Sequence, residues 1–130
     1  MNAGDLLDYR SILMVKMRNL PERRHVLQPQ LNEAFELGFI SKLFREIEAK
    51  LEEVNEQAWH ANEMIYQILF DPEAGTEQWM QDQARAREAI LAFKRSVELN
   101  KERVRLKNEA NALVGAPKEE KSWNSSTTTR

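Results

Sequence analysis

The sequence predicts an all-α protein built on a long antiparallel helical hairpin, with a short N-terminal helical segment and a disordered C-terminal tail. The 130 residues include only 4 glycines and 4 prolines but 42% hydrophobic and 31% charged residues, a composition rich in helix formers. Apolar residues also recur every three and four positions along two long stretches, as in a coiled-coil seam. We expect residues 1–30 to form the N-terminal segment, 31–115 the hairpin and 116–130 the tail.

The N-terminal segment should contain one clear helix, over residues 4–18, with Asp5 as its N-cap. Its apolar positions are too widely spread for one narrow stripe, which predicts burial on more than one side. A second helix should start after the cap residue Asn19, with Pro21 in its first turn. We expect Gln28-Pro29 to interrupt this helix, because proline disfavours helical backbone at the preceding residue.

The hairpin consists of two predicted helices with heptad patterns. The first should run from about Asn32 to Phe70. The second should start at the N-cap Thr76 and end at a left-handed Gly115, just before Pro117. The first seam is Ile40, Phe44, Ile47, Leu51, Val54, Ala58, Ala61, Ile65 and Ile68, and the second is Trp79, Ala86, Ile90, Phe93, Val97, Asn100 and Val104.

The register of the hairpin follows from a turn centred near residues 73 and 74. Val54 then lies opposite Phe93. Residues 46–56 carry five glutamates and one lysine, and the opposite stretch 91–101 carries three cations and one glutamate. Opposite charges therefore face each other, which favours this antiparallel pairing.

Apolar residues outside the seam predict a homo-oligomer. A first helix of about 15 residues spans about 22 Å and covers less than half of hairpin helices of about 57 Å. Another subunit would then cover the rest. The alternative is a monomeric three-helix bundle. The predicted interface residues are Leu43, Trp59, Met64, Leu69, Leu91 and Leu106.

One short stretch, RNLPERRH at residues 18–25, places an arginine, a polar residue and a histidine close together. It resembles the R-x(4–6)-H motif of HEPN-type ribonucleases, which are all-α dimeric proteins. The resemblance implies that Arg18 and His25 would act on the RNA 2′-OH and phosphate across a dimer interface. That family carries its motif on or at the start of a continuous late helix, whereas Pro21 lies inside this one.

Residues 31–47 resemble a helix-turn-helix, in which Gly38 would make the turn and the next helix would enter the major groove. Residues 9–25 carry five cations against one glutamate, which suits phosphate contacts. The alternative is that Gly38 lies within a continuous helix. The candidate nucleic-acid-binding residues are Arg18, Arg23, Arg24, Lys42 and Arg45.

The remaining composition limits chemistry and location. The chain has no cysteine, which excludes disulfides and thiolate metal sites and fits a reducing compartment. His60 has glutamates nearby but no second histidine on its helix, so we expect no metal and no cofactor. The net charge of −2 gives no strong attraction to an anionic membrane, and we expect a cytoplasmic protein without a signal peptide or membrane span.

These features favour a non-enzymatic α-helical assembly or adaptor protein that acts through helix–helix association. Its partners would be copies of itself and a protein partner, for which Trp123 in the tail is a candidate anchor. The first alternative is a DNA-binding oligomeric factor, because the layout resembles that of phage small terminase subunits. The further alternatives are a hairpin similar to flagellar export chaperones and a HEPN-like ribonuclease.

Overall fold

The structure, a computed structural model, describes residues 1–38, 41–73 and 75–115, and this part of the chain is all α as predicted. The predicted tail lies outside these residues, and so do the side chains of the seam positions Ile40 and Trp79. The helices are α1 (Ala3–Asn19), α2 (Arg24–Glu36), α3 (Lys42–Leu69), α4 (Glu77–Gln81) and α5 (Gln83–Leu113), and a 3-10 turn at Pro21–Arg23 joins α1 to α2.

The first helix starts and ends close to the predicted positions, but with different caps. The Asn2 side chain accepts a hydrogen bond from the Asp5 backbone N–H at 2.8 Å, so Asn2 and not Asp5 is the N-cap. Asn19 is the last residue of α1 and does not cap a second helix. Its side-chain amide instead donates to the Val15 carbonyl.

The predicted interruption at Gln28-Pro29 is wrong, because Pro29 lies inside α2. Proline removes one helix hydrogen bond, to the carbonyl of His25. Pro29 and His25 are both exposed, so water can satisfy that carbonyl. The predicted boundary at residue 30 also falls inside α2.

The long first helix of the hairpin is shorter than predicted, since α3 begins at Lys42 and not near Asn32. Gly38 adopts a left-handed φ of 104°, which ends α2. The Ser41 hydroxyl then accepts from the Phe44 N–H at 3.4 Å and caps α3.

The seam of α3 is confirmed from Phe44 to Ala61. Ile47, Leu51 and Val54 are buried, and Phe44, Ala58 and Ala61 pack against the same core. The predicted seam of α5 is wrong by one residue: Ile90, Phe93 and Val97 are 67%, 48% and 43% exposed. The buried apolar residues of α5 are Ala92, Leu99, Leu106 and Ala110.

The hairpin is antiparallel as predicted, but in a shifted register. The Arg95 guanidinium donates to Gln57, whereas the predicted register places Gln57 opposite Ile90, five residues earlier. The connection is longer than expected, because the short helix α4 follows the turn and the helical backbone is interrupted again at Asp82, between α4 and α5. The Asp82 carboxylate caps α5 by accepting from the N–H groups of Ala84 and Arg85.

The hairpin has a tip, formed by residues 70–82, and an open end opposite it. The first helix packs across α3 and α5 at the open end. Ala3 and Leu7 join the core of the hairpin there. α2 folds back along α1 and forms a second core with it, from Leu13, Leu27 and Leu31. Neither this part of the fold nor the rest of the described chain contains a helix with the length and apolarity of a membrane span.

Candidate functional site

Polar side chains hold α1 in place on the hairpin. Asp8 is buried and accepts hydrogen bonds from the Arg103 guanidinium at 3.0 Å and from the Asn55 amide at 3.0 Å. The Asn55 amide also donates to the Ser11 hydroxyl at 2.7 Å. Since Asp8 and Ser11 lie on α1, Asn55 on α3 and Arg103 on α5, this network joins all three helices at one level.

The start of α1 contacts the end of α5 closely. The Gly4 backbone N–H donates to the Asn111 side-chain oxygen at 2.7 Å, and the Lys107 ammonium lies 3.0 Å from an Asp5 carboxylate oxygen. A side chain at Gly4 would place its Cβ 2.4 Å from the Lys107 carbonyl oxygen. The approach of the two helices therefore requires glycine at this position.

Arg10 ties the turn between α2 and α3 to α1. Its Nε donates to Glu48 at 2.5 Å and its Nη1 donates to the Gly38 carbonyl at 2.7 Å. Its guanidinium also lies 4.7 Å from the centre of the Phe35 ring. Burial raises the pKa of Glu48, and the bond from Arg10 opposes that rise only in part.

The C-terminal end of α1 is held on α3 at the level of Glu56. Arg18 donates to Glu52 and, at 3.1 Å, to Glu56, and the Asn19 amide also donates to Glu56. Burial alone would raise the pKa of Glu56, but the bonds from Arg18 and Asn19 outweigh it and hold this pKa below its ordinary value. Beyond this level the hairpin has no covering from α1.

The face of α5 that α1 covers continues uncovered toward the tip. Lys107 and Asn111 contact α1 at the open end. Heptad positions repeat every seven residues along one face of a helix in a coiled coil. Phe93 lies two steps of seven before Lys107. Val104, Val97 and Ile90 lie one, two and three steps of seven before Asn111. Phe93, Val97 and Ile90 are all exposed.

The corresponding face of α3 is also uncovered, and it carries large apolar side chains together with the exposed Asn62 and Glu63. Trp59 and Tyr66 follow Glu52 in steps of seven, and Phe70 follows Glu56 in the same way. Tyr66 and Phe70 are exposed and stack on each other with ring centres 5.4 Å apart. We call the uncovered surface the distal groove. It consists of Trp59, Tyr66, Leu69 and Phe70 on α3 and of Ile90, Phe93 and Val97 on α5.

The predicted interface residues are divided by the structure into three groups. Leu106 is 0% exposed in the core, so its assignment to a surface outside the seam is wrong. Leu106 belongs to the row of α5 that packs in the core, and this row lies one residue away from the predicted seam, which explains the error. Trp59 and Leu69 belong to the distal groove. The other residues, Leu43, Met64 and Leu91, are exposed. Leu43 and Met64 lie in steps of seven from Gln57 and Leu91 lies four residues before Arg95, so helical spacing places them on the side of the Gln57–Arg95 pair, opposite the groove.

The two residues of the RNLPERRH motif lie on different helices. Arg18, near the end of α1, is engaged by Glu52 and Glu56, and these bonds raise its already high pKa. His25 is exposed in the first turn of α2, beyond the 3-10 turn. The position of Arg18 is thus explained by its contacts with α3.

All five candidate nucleic-acid-binding residues are exposed, and Arg18 among them is held by Glu52 and Glu56. Arg23 and Arg24 lie at the start of α2, and Lys42 and Arg45 lie in the first turn of α3. Gly38 makes the turn between these helices, as a helix-turn-helix predicts. α2, however, forms its core with α1.

Among the described residues, no three histidine or carboxylate side chains are grouped closely enough to hold a metal ion. The His60 ring instead lies 3.2 Å from Glu56 on the same helix.

Sequence reasoning missed most of the distal groove. The sequence pattern does not indicate Tyr66 or Phe70 as surface contacts, and it places Ile90, Phe93 and Val97 in the predicted α5 seam. The signal that could have found them is a second heptad row on α5, one residue earlier and composed largely of small residues. This row is Ala89, Ala92, Ser96, Leu99, Arg103, Leu106 and Ala110.

Comparisons with protein-family models, with curated proteins and with solved structures found no match to this chain.

Proposed function

We propose that this chain is a non-enzymatic assembly or adaptor protein that acts through helix–helix association of the hairpin, with itself and with a protein partner. The observation that carries the proposal is the distal groove, a set of exposed apolar side chains on the same side of two long helices. The function of such a surface is to bind another helix, because apolar area is stabilised by removal from water.

The size of the groove supports a binding role. At about 200 Å² for a fully exposed large side chain, the six groove residues that are exposed present about 700 Å² of mainly apolar surface. The largest apolar patch of an ordinary soluble monomer is about 300–600 Å². The summed exposure of these six side chains is therefore large enough to supply a protein–protein contact.

The test is the solution mass, measured by light scattering behind a sizing column at several concentrations. We expect an assembly of more than one copy. Trp59→Glu and Leu91→Glu place a charge on the two sides of the hairpin, and at least one of them should dissociate the assembly while helicity by circular dichroism is unchanged. Gln67→Glu, at an exposed polar position of α3, is the matched control. A wild-type chain that stays monomeric at every concentration would contradict the proposal.

A second candidate function is DNA binding, favoured by the exposed cations at the starts of α2 and α3. The double variant Arg23→Ala/Arg24→Ala should then weaken binding to a labelled duplex in fluorescence anisotropy, and the affinity should fall steeply with salt. Binding that is equal in wild type and variant would remove this candidate.

A further inference from the structure

We infer that the occupant of the distal groove is the distal groove of a second copy, with the two hairpins antiparallel about a two-fold axis. The four distal half-helices then form one four-helix bundle. This inference rests on the proposed function, since it specifies which face associates and in which direction.

The area available matches what a stable pair needs. Each copy offers about 700 Å² in the groove, and a standard protein interface buries about 800 Å² per partner. An isologous pair uses the same patch on both copies, so both exposed grooves are covered by one contact. The uncovered part of α3, residues 57–69, is about 20 Å long, which is enough for almost four helical turns of contact.

The position of α1 decides the direction of pairing. α1 occupies the open-end part of the face whose distal part forms the groove. In a parallel pair both copies of α1 would lie at the same end. The two α1 helices, each about 10 Å thick, would then lie between the hairpins. They would separate the two grooves by much more than the 8–10 Å between the axes of packed helices. In an antiparallel pair each α1 lies beyond the tip of the other copy, and the grooves meet.

Charge complementarity supports the same direction. The tip carries the exposed Glu73 and Glu77 and no lysine or arginine over residues 70–77, and its third carboxylate, Asp71, is paired with Arg85 of the same chain. α1 runs toward the tip and ends at the level of Glu56, so the turn from α1 to α2 borders the groove. That turn carries the exposed Arg23 and Arg24. Antiparallel pairing brings the acidic tip of each copy to the basic turn of the other.

The first experiment identifies the face. Phe93→Glu introduces two charges into the paired grooves and should raise the dimer dissociation constant at least about 100-fold in sedimentation equilibrium, because buried aromatic residues dominate such interfaces. Phe70→Glu, at a side chain 73% exposed, is a second groove variant that disturbs the fold of the chain least. Leu91→Glu, on the opposite side, is the control and should leave the dimer intact.

The second experiment identifies the direction and uses the absence of cysteine from the chain. Glu22→Cys, in the turn from α1 to α2, and Gln78→Cys, at the tip, are prepared as separate single-cysteine proteins that retain Arg23 and Arg24. A short bismaleimide should link the two proteins to each other when they are mixed. It should link neither protein efficiently to itself.

The outcomes separate the two proposals. A dimer that Phe93→Glu and Phe70→Glu dissociate, with Glu22–Gln78 cross-links, supports the inference. An assembly that only Leu91→Glu dissociates, an assembly larger than two copies, or tip-to-tip cross-links of Gln78→Cys overturn the inference while the proposed function stands. A wild-type monomer at all concentrations overturns both, and leaves the groove to a helix of another protein.

Discussion

At Gly4 the helices α1 and α5 approach each other closely, because the missing side chain allows the backbone of α1 to lie against the Lys107 carbonyl. The neighbouring Asn111 is fully buried, and its oxygen accepts from the Gly4 N–H. The Asn111 amide nitrogen has no hydrogen-bond partner among the described residues. The contact therefore depends on one short approach and one hydrogen bond, and a small change at Gly4 disturbs both.

We expect Gly4→Ala to destabilise the fold by about 1–3 kcal/mol, since the added methyl group overlaps a backbone atom that cannot rotate away. The measurement is urea unfolding followed by circular dichroism. Lys16→Ala, at an exposed position of the same helix, is the control and should change the unfolding free energy little. Equal stability of Gly4→Ala and wild type would mean that α1 does not approach α5 as described.

At the scale of the elements, α1 is attached to the hairpin by charged and amide groups as much as by apolar ones. Arg10, Arg18 and Asp8 each bond a residue of α3 or α5. Such groups are costly to bury without partners, so they favour one position of α1 over neighbouring ones. The hairpin itself is joined mainly by the apolar seam of α3.

The contact between α1 and α3 should make stability depend on pH. Folding lowers the pKa of Glu56, so its contribution is complete above the ordinary carboxyl pKa and is lost as the pH falls through the lowered value. Glu56→Gln should therefore be less stable than wild type at neutral pH, and the difference should shrink in acid. Urea unfolding across a pH series measures this, with Glu53→Gln, an exposed position, as the control. A difference that grows in acid would refute the assignment.

The elements could be predicted in part. The α3 seam was found because large aliphatic residues mark one heptad row without a competitor. On α5 two rows compete, one residue apart, and the row with the larger side chains was chosen although Phe93 and Val97 are exposed. The seam that the fold uses contains Ala92 and other small residues, because small side chains allow two helices to approach closely. Residue size alone could not show which row faces α3.

At the scale of the whole molecule, the fold has a covered end and an uncovered end. α1 and α2 cover the open end of the hairpin, and the distal groove remains exposed toward the tip. The net charge of −2 produces little repulsion between copies. Association through the groove would bury apolar area with a few charge pairs at its borders.

This arrangement predicts a weak dependence of self-association on salt. Raising the salt from about 50 mM to about 200 mM should change the dimer dissociation constant by less than about 10-fold, because exposed charge pairs contribute little and apolar burial is not screened. Binding to DNA through several phosphates would instead weaken about 1,000-fold or more over the same range. Sedimentation equilibrium and fluorescence anisotropy at both salt concentrations separate these two modes of association.

The sequence by itself determined the helical class, the extent of α1, the seam of α3 and the end of α5 near Gly115, because composition, caps and a single clear heptad row act locally. The tertiary structure alone decided the break at Gly38, the register of the hairpin, and which row of α5 faces α3. These features depend on which surfaces meet, and several local patterns were compatible with each. The polar attachment of α1 depends on how far along the hairpin α1 reaches. The exposure of Phe93 depends on which row of α5 faces α3.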